Sequence, residues 1–528
     1  MDQKFHRHLI RPSFYLNRFY SLDRTVQRSI LILLFVSVAI QLIYLWALPI
    51  SYEGDASVYY RYARWMGRFE DWTFDFWVRP PLYPLYLNIF GMTWLDSFNG
   101  VIAANALMGV SMPLLLFGAL YPLGNRWAFG AAWAYALSTL PFSYAKLFIT
   151  EQPYSFFVVL LAFAVSRFCV TQKTGYAALS MGAALAALMT RNEAAYIAVF
   201  AALLELGLVV SRRNWRAAAA VCVSALVALS ITASWSGARA WLLGQPGLFG
   251  SLHNFSGWQL FDRVYLSGIS GRWGNTPEQQ RTIFIEAKNG PASAKVEAMF
   301  PGLLAKPSQE NFGTIVMGIM KWVDDGANTP GLHKGIAKTD KLLREMIRET
   351  IVAHPKILGL MAMSAAPYLG IYLPGAKLWP PPIFWGAFDS YQAMPLDIGE
   401  QASTSMPKAL FKRYAESHWE RPAWLMAFRQ AGQNMHNLLR TATCLVLALT
   451  IWFLPLSRMK WFAAFAFVSA GMMIAAGTVA FGYNGRYEHA TIPYLLITAT
   501  LSVEACVTWI RLFSARRKAA IDQNNHSR

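Results

Sequence analysis

The sequence predicts an all-α polytopic membrane protein with about 10 to 12 transmembrane helices, on three observations. Across 528 residues it is 55% hydrophobic, with a mean hydropathy of +0.31, too apolar for a soluble chain of this length. Several apolar runs reach the ~20 residues that cross a hydrocarbon core. Much of the formal charge of +18 lies in short segments beside those runs, as at Arg212, Arg213 and Arg216, where it orients helices in a bilayer. That distribution argues against a nucleic-acid partner.

Taken in order, residues 1–28 hold six Lys/Arg against two Asp and belong on the cytoplasmic side. The run 29–50 is too long for a signal-peptide core and lacks a small-residue cleavage site, so it is expected to stay as an anchor. Runs 101–121, 128–148 and 153–170 follow as spans. The run 176–210 is about twice the length of one helix, and the charges of Thr190-Arg191-Asn192-Glu193 mark where it folds into two. With 217–235 it completes an N-terminal module, 1–236, whose first external loop covers 51–100.

Residues 237–355 are polar and long enough for a capping subdomain, with a helix expected over 338–352. Pro367, Pro374 and Pro380-Pro381-Pro382 interrupt the next apolar run, 356–373, which is expected to lie in the interface or re-enter, leaving 356–437 outside. The C-terminal spans are 438–456, 461–481 and 490–509, within 438–511, and 512–528 is a basic cytoplasmic tail. This count gives ten spans with both termini cytoplasmic. Cys169, Cys222, Cys444 and Cys506 all fall in apolar runs without CxxC or Cys/His spacing, so neither a disulfide framework nor a thiolate zinc site is indicated.

On this topology the outer face collects Glu53 and Asp55 after the first span, Glu151, then Arg191 and Glu193 at the helical break, and Arg486, Glu488 and His489 near the end. Ionisable groups at membrane depth cost several kcal/mol unless paired or hydrated. Taken singly, each reads as well as an interfacial residue at a helix end; together they predict a polar cavity open to the outside. Asp55 reads either as the N-cap of a helix over 56–66, with Tyr59, Ala63 and Met66 on one face, or as a general base at the cavity mouth. Arg79-Pro80-Pro81-Leu82-Tyr83-Pro84 is expected to hold the chain extended, each proline restricting itself and its predecessor. Arg486 and Tyr487, beside Gly482, Asn484 and Gly485, suit a phosphate, the bland reading being snorkelling and aromatic-belt anchoring. A divalent metal is left open, with His489 and Glu488 the candidate ligands; no other cofactor is indicated.

These motifs resemble the membrane-embedded GT-C glycosyltransferases, in the branch of protein O-mannosyltransferases and lipid A aminoarabinose transferases. Gly54-Asp55-Ala56 with Tyr59, Ala63 and Gly67, followed by Arg79-Pro80-Pro81-Leu82-Tyr83-Pro84-Leu85, is similar to that family's first external loop. Thr150-Glu151-Gln152-Pro153 is similar to its acidic residue before the fourth span, Thr190-Arg191-Asn192-Glu193-Ala194 to its Arg-x-Glu-Ala break, Arg486-Tyr487 with Pro493 to its late Arg-Tyr segment, and His354-Pro355 to its His-Pro after the long loop. The first half matches in order and spacing, residues 237–437 in type alone.

The resemblance implies a polyprenyl-phosphate-linked sugar donor and an inverting transfer, at the outer face of a bacterial inner membrane, to a lipid, glycan or protein acceptor, with membrane lipids as the remaining partner. It implies Asp55 as base, Glu151 on the acceptor side or in a metal or hydrogen-bond site, and Arg486 and Tyr487, with Arg79, on the donor phosphate. Tyr59, Tyr83, Arg191 and Glu193 are the expected cavity-lining residues. Many members carry adjacent acids in the first loop, whereas here Gly54 separates Glu53 from Asp55, so both stay candidates for the base. A transporter or flippase of lipid-linked sugars needs a similar cavity, but typically has paired half-repeats and helices broken at mid-membrane, which the sequence does not display. A polymerase or ligase of lipid-linked glycans is the alternative closest in chemistry.

Overall fold

The computed structural model describes residues 21–47, 54–66, 79–95, 97–242, 290–299, 335–356, 358–359, 423–424, 427–428, 431, 434–435, 438–439, 457, 459–481 and 485–526. Within these, the side chains of 54, 55, 57, 65, 239–242, 297, 299, 335–339, 477–481, 485–488 and 522–526 lie outside the description. The described elements are α1 (Arg24–Ala47), α2 (Gly54–Trp65), α3 (Leu82–Ile89), α4 (Asn99–Leu120), α5 (Asn125–Leu137), α6 (Glu151–Thr171), α7 (Thr174–Thr190), α8 (Ala194–Ser211), α9 (Trp215–Leu242), α10 (Pro291–Met299), α11 (Gly335–Ala353), α12 (Lys460–Phe481) and α13 (Gly485–His526), with single 3-10 turns after α4 and α5. No strand occurs among the described residues. Six of these helices, α1, α4, α6, α8, α9 and α13, are long and apolar enough to cross a membrane, which makes this an integral membrane protein.

Local chemistry sets the helix ends. Asp23 caps α1, its Oδ1 accepting the Thr25 amide at 2.6 Å, and that bond holds its carboxyl below the usual range. Along α1, Leu33, Ile40 and Tyr44 are buried while Leu31, Phe35, Leu42 and Trp46 face outward, the all-round hydrophobicity of a helix with lipid on one side. Asn214 starts α9 by accepting the Ala217 amide at 3.2 Å, after Arg213 turns the chain with φ 55°. The α7–α8 break falls between Thr190 and Ala194, where the charges of 190–193 predicted it.

At the centre stands α6, packed against α4, α7, α8, α12 and α13. Val158, Val159, Leu161, Ala162, Val165 and Phe168 are all shut from solvent, and so are Gln152, Ser155 and Ser166. A helix walled in like this must find partners for every polar side chain inside the protein. Ser166 Oγ donates to the Ala119 carbonyl of α4, and Tyr494 Oη of α13 donates to Val158 O at 3.0 Å.

The structure departs from the predicted 128–148 span. α5 ends at Leu137, Thr139 is left-handed with φ 59°, and Leu140–Phe142 forms one 3-10 turn. Ser138, Thr139, Pro141 and Ser143 compete with or interrupt helical hydrogen bonding, so the chain reaches α6 as buried irregular backbone. Such backbone is tolerated at membrane depth only where protein satisfies it. Neighbouring side chains do so: Asn105 Nδ2 donates to Ala145 O at 3.3 Å, Gln152 Nε2 to Pro141 O at 2.9 Å, and His489 Nε2 to Leu140 O at 3.0 Å.

Two other expectations change. Residues 79–84 do not stay extended: Pro81 is αR and α3 starts at Leu82, with Leu85 N–H donating to Pro81 O at 3.1 Å. Pro84 falls in the first turn, where a missing N–H costs nothing. Gly485 is the first residue of α13, so residues 485–489 are helical instead of a loop before the last span. The predicted helix over 338–352 is α11, and α10 packs on it: Glu349 takes the amides of Ala292 and Ser293 at 2.9 and 3.1 Å, capping α10. The predicted interfacial or re-entrant segment 356–373 and the predicted span 438–456 fall almost wholly outside the described residues.

Gly109 of α4 faces the irregular segment. A Cβ there would lie 2.7 Å from Pro141 O and 2.6 Å from Gln41 Oε1. Gly109→Ala is expected to cost about 1–3 kcal/mol, read as a lower Tm of the protein in detergent; an unchanged Tm would show that this segment can shift aside.

Candidate functional site

Of the expected site residues, Tyr59, Arg79, Tyr83, Glu151, Arg191 and Glu193 lie at one end of the bundle, among α2, α3, the start of α6 and the α7–α8 break, with Ala490 and Thr491 of α13 beside Arg191. On α2, Ala56, Tyr59, Tyr60 and Ala63 are buried at i, i+3, i+4 and i+7, the stripe that seats one helix on another. They pack on Tyr83, Tyr86 and Leu87 of α3. Asp55 is the second residue of α2, inside the first turn and not at the cap position before it; its side chain and all of Glu53 lie outside the described residues.

Three tyrosines link this pair to the core. The Tyr59 and Tyr83 rings meet edge to face at 4.9 Å, and Tyr83 stacks on Tyr86 at 5.8 Å. Tyr86 Oη donates to Asn105 Oδ1 at 2.7 Å, and Asn105 in turn serves the irregular segment. Tyr59 and Tyr83 are thus packed behind the site. Arg79 lies over the Tyr59 ring, 4.9 Å from its centroid, with Nη1 donating to Tyr59 Oη at 3.0 Å.

Glu151 and Arg191 form the buried centre. Arg191 leaves the helix at the end of α7 with φ −150° and ψ 130°, which turns its side chain toward α6. Its Nη1 lies 3.1 Å from Glu151 Oε1 and its Nη2 3.4 Å from Glu193 Oε1, with the guanidinium 5.4 Å above the Tyr154 ring. Glu151 is 2% exposed, Arg191 12% and Glu193 26%, so one guanidinium serves a fully buried carboxylate and a partly open one. Burial pushes the Glu193 carboxyl up, but Arg191, its own backbone amide and Arg79 outweigh it and hold the group below the usual carboxylate range.

Arg191 and Glu193 line a cavity of about 20 Å³ with Tyr154, Thr491, Ala490, Met473 and Ala476, room for about one water. His489 sits beneath, shut from solvent, with its ring 4.5 Å from Tyr144. Nε2 faces the Leu140 carbonyl and so carries the proton, while Nδ1 meets Ser155 Oγ. Both nitrogens are engaged, so His489 supplies no metal ligand in this arrangement. Among the described residues no group of three His, Cys, Asp or Glu can hold a metal. Arg486, Tyr487 and Glu488 occupy the first turn of α13, with side chains outside the described residues.

Sequence reading missed Tyr154, Gln152, Ser155 and Asn105 as working parts. Gln152 and Ser155 follow Glu151 on a helix that reads as apolar, and only their inward position separates them from ordinary interfacial polar residues.

Removing the guanidinium with Arg191→Met is expected to cost about 3–5 kcal/mol, because Glu151 stays buried without its ion pair. Adding Glu151→Gln should recover part of the loss, and thermal unfolding of the two variants measures both. A carboxyl with a lowered folded pKa adds stability above the unfolded carboxylate range and loses it as pH falls through the lower folded value. Glu193→Gln should therefore be less stable than wild type at pH 7, with the gap closing on acidification; a gap independent of pH would mean that Arg191 does not hold this charge.

No protein-family model matches the chain, and no curated protein matches it.

Proposed function

We propose that the chain is a GT-C-type membrane glycosyltransferase that moves a sugar from a polyprenyl-phosphate carrier to a lipid, glycan or protein acceptor. The reaction runs with inversion at the outer face of a bacterial inner membrane, with both termini cytoplasmic. What carries the reading is convergence: motif pieces 54–65, 79–86, 150–154 and 190–194, far apart in sequence, meet through Tyr59–Tyr83, Glu151–Arg191 and the field of Arg79 on Glu193. Helices packed for structure alone have no need to bring four charged or polar segments to one end of a bundle.

In this reading the acceptor hydroxyl or amine attacks the anomeric carbon from the side opposite the phosphate. Its proton passes to the Asp55 carboxylate, with Glu53 as the rival base, and the C–O bond to the carrier breaks with the electron pair leaving on polyprenyl phosphate. Arg79, Arg486 and Tyr487 are assigned to stabilise the charge that grows on that leaving group. Glu151 acts at one remove, by locking Arg191 and the α7–α8 tip against α6.

One observation favours a transporter or flippase: the irregular segment after α5 is the kind of broken helix on which such proteins build ligand sites. Its carbonyls at Leu140, Pro141 and Ala145 are already taken by His489, Gln152 and Asn105, so the break is sealed from within. Transfer remains the better reading.

Asp55→Asn decides the matter. The variant is expected to lose transfer from a polyprenyl-phosphate sugar by about 10²–10⁴-fold while still binding polyprenyl phosphate. Full turnover in Asp55→Asn with loss in a Glu53→Gln variant would move the base to Glu53, and turnover in both would remove the assignment.

A further inference from the structure

At the end of the bundle away from Glu151, α13 does not stop with its neighbours. His489 meets Ser155 and Tyr494 meets the Val158 carbonyl, so α13 runs beside α6 in the same direction. Thr171, the last residue of α6, lies as far along from Val158 as residue 507 lies along α13 from Tyr494. α13 continues to His526, roughly 28 Å further at 1.5 Å per residue. Along 509–521 every side chain is exposed. Trp509, Ile510, Leu512, Phe513 and Ile521 each keep between 47% and 58% of their surface open. The same stretch carries Arg511, Arg516, Arg517 and Lys518 and no acid.

Exposed aliphatic and aromatic surface on this scale marks contact with a partner or a membrane. Two occupants compete for it. A second copy would set four cations against four cations, which like-charge repulsion opposes. Anionic lipid complements them: Trp509, Ile510, Leu512 and Phe513 can enter the boundary between headgroups and acyl chains while the guanidinium and ammonium groups reach phosphates. The stretch also begins where α13 leaves the bundle, since residues 501–508 are buried or half-buried and 509–521 exposed.

We propose that residues 509–521 form a binding surface for anionic phospholipid headgroups at this end of the bundle. The surface is independent of the transfer reaction and holds whether or not the chain is an enzyme. The test is hydrogen exchange by mass spectrometry on the full-length protein, one copy per nanodisc, in phosphatidylcholine alone and with about a third phosphatidylglycerol. Amides of 509–521 are expected to exchange about tenfold more slowly in the anionic discs, with the difference shrinking in high salt. The Arg516→Gln/Arg517→Gln/Lys518→Gln variant should exchange alike in both while the rest of the bundle keeps its wild-type protection. Equal exchange of the wild-type stretch in the two lipids overturns the proposal. So does protection that ignores lipid charge and arises only with two copies per disc, which would make the surface a self-association face.

Discussion

Glu151 opens a helix that is walled in by five others, and the Arg191 guanidinium 3.1 Å away makes a carboxylate there tolerable. The start of α6 adds to this, since a negative group at a helix N-terminus meets the positive end of its dipole. Arg191 can reach that position only because α7 ends at Thr190 and the next residue is extended. The break between α7 and α8 is therefore as much a requirement of the ion pair as of the membrane thickness. Glu193, the first residue back toward helix, takes the other side of the same guanidinium and is left partly open to the cavity.

A second constraint sits one layer deeper. The backbone between α5 and α6 is irregular and buried, and its carbonyls are capped by side chains from three helices: Asn105 on α4, Gln152 on α6 and His489 on α13. These bonds tie the last helix of the chain to the middle of the N-terminal half. They also give Gln152 and His489 a structural occupation. A histidine with both ring nitrogens engaged is a strut, and its place beside the charged cluster reflects that packing. The Tyr86–Asn105 bond extends the same web outward to α3, and through Tyr83 and Tyr59 to Arg79. The charged tip and the loop helices thus share one supporting layer.

Much of this was legible beforehand. The apolar runs at 101–121, 153–170 and 461–481, and the break at 190–193, show up as period-free hydrophobicity interrupted by charge, and the helices fall there. The amphipathic pattern at 338–352 likewise became α11. Two segments were misread for one reason. At 128–148 apolar content outvoted Ser138, Thr139 and Pro141, and at 79–84 three prolines outvoted helix formation. In both, local signals compete, and the partners that settle the contest come from distant parts of the chain.

Composition and the order of apolar runs by themselves determined that this is a helical membrane protein, because burying backbone in lipid leaves helices as the economical solution for runs of this length. The clustering of Glu151, Arg191 and Glu193 could be suspected from their positions near helix ends. Tertiary structure alone decided that Arg191 binds both acids, that Tyr59 and Tyr83 pack behind the site, and that His489 is bonded on both sides. Those outcomes depend on distances between residues up to 349 positions apart, and no pattern within a single helix carries that information.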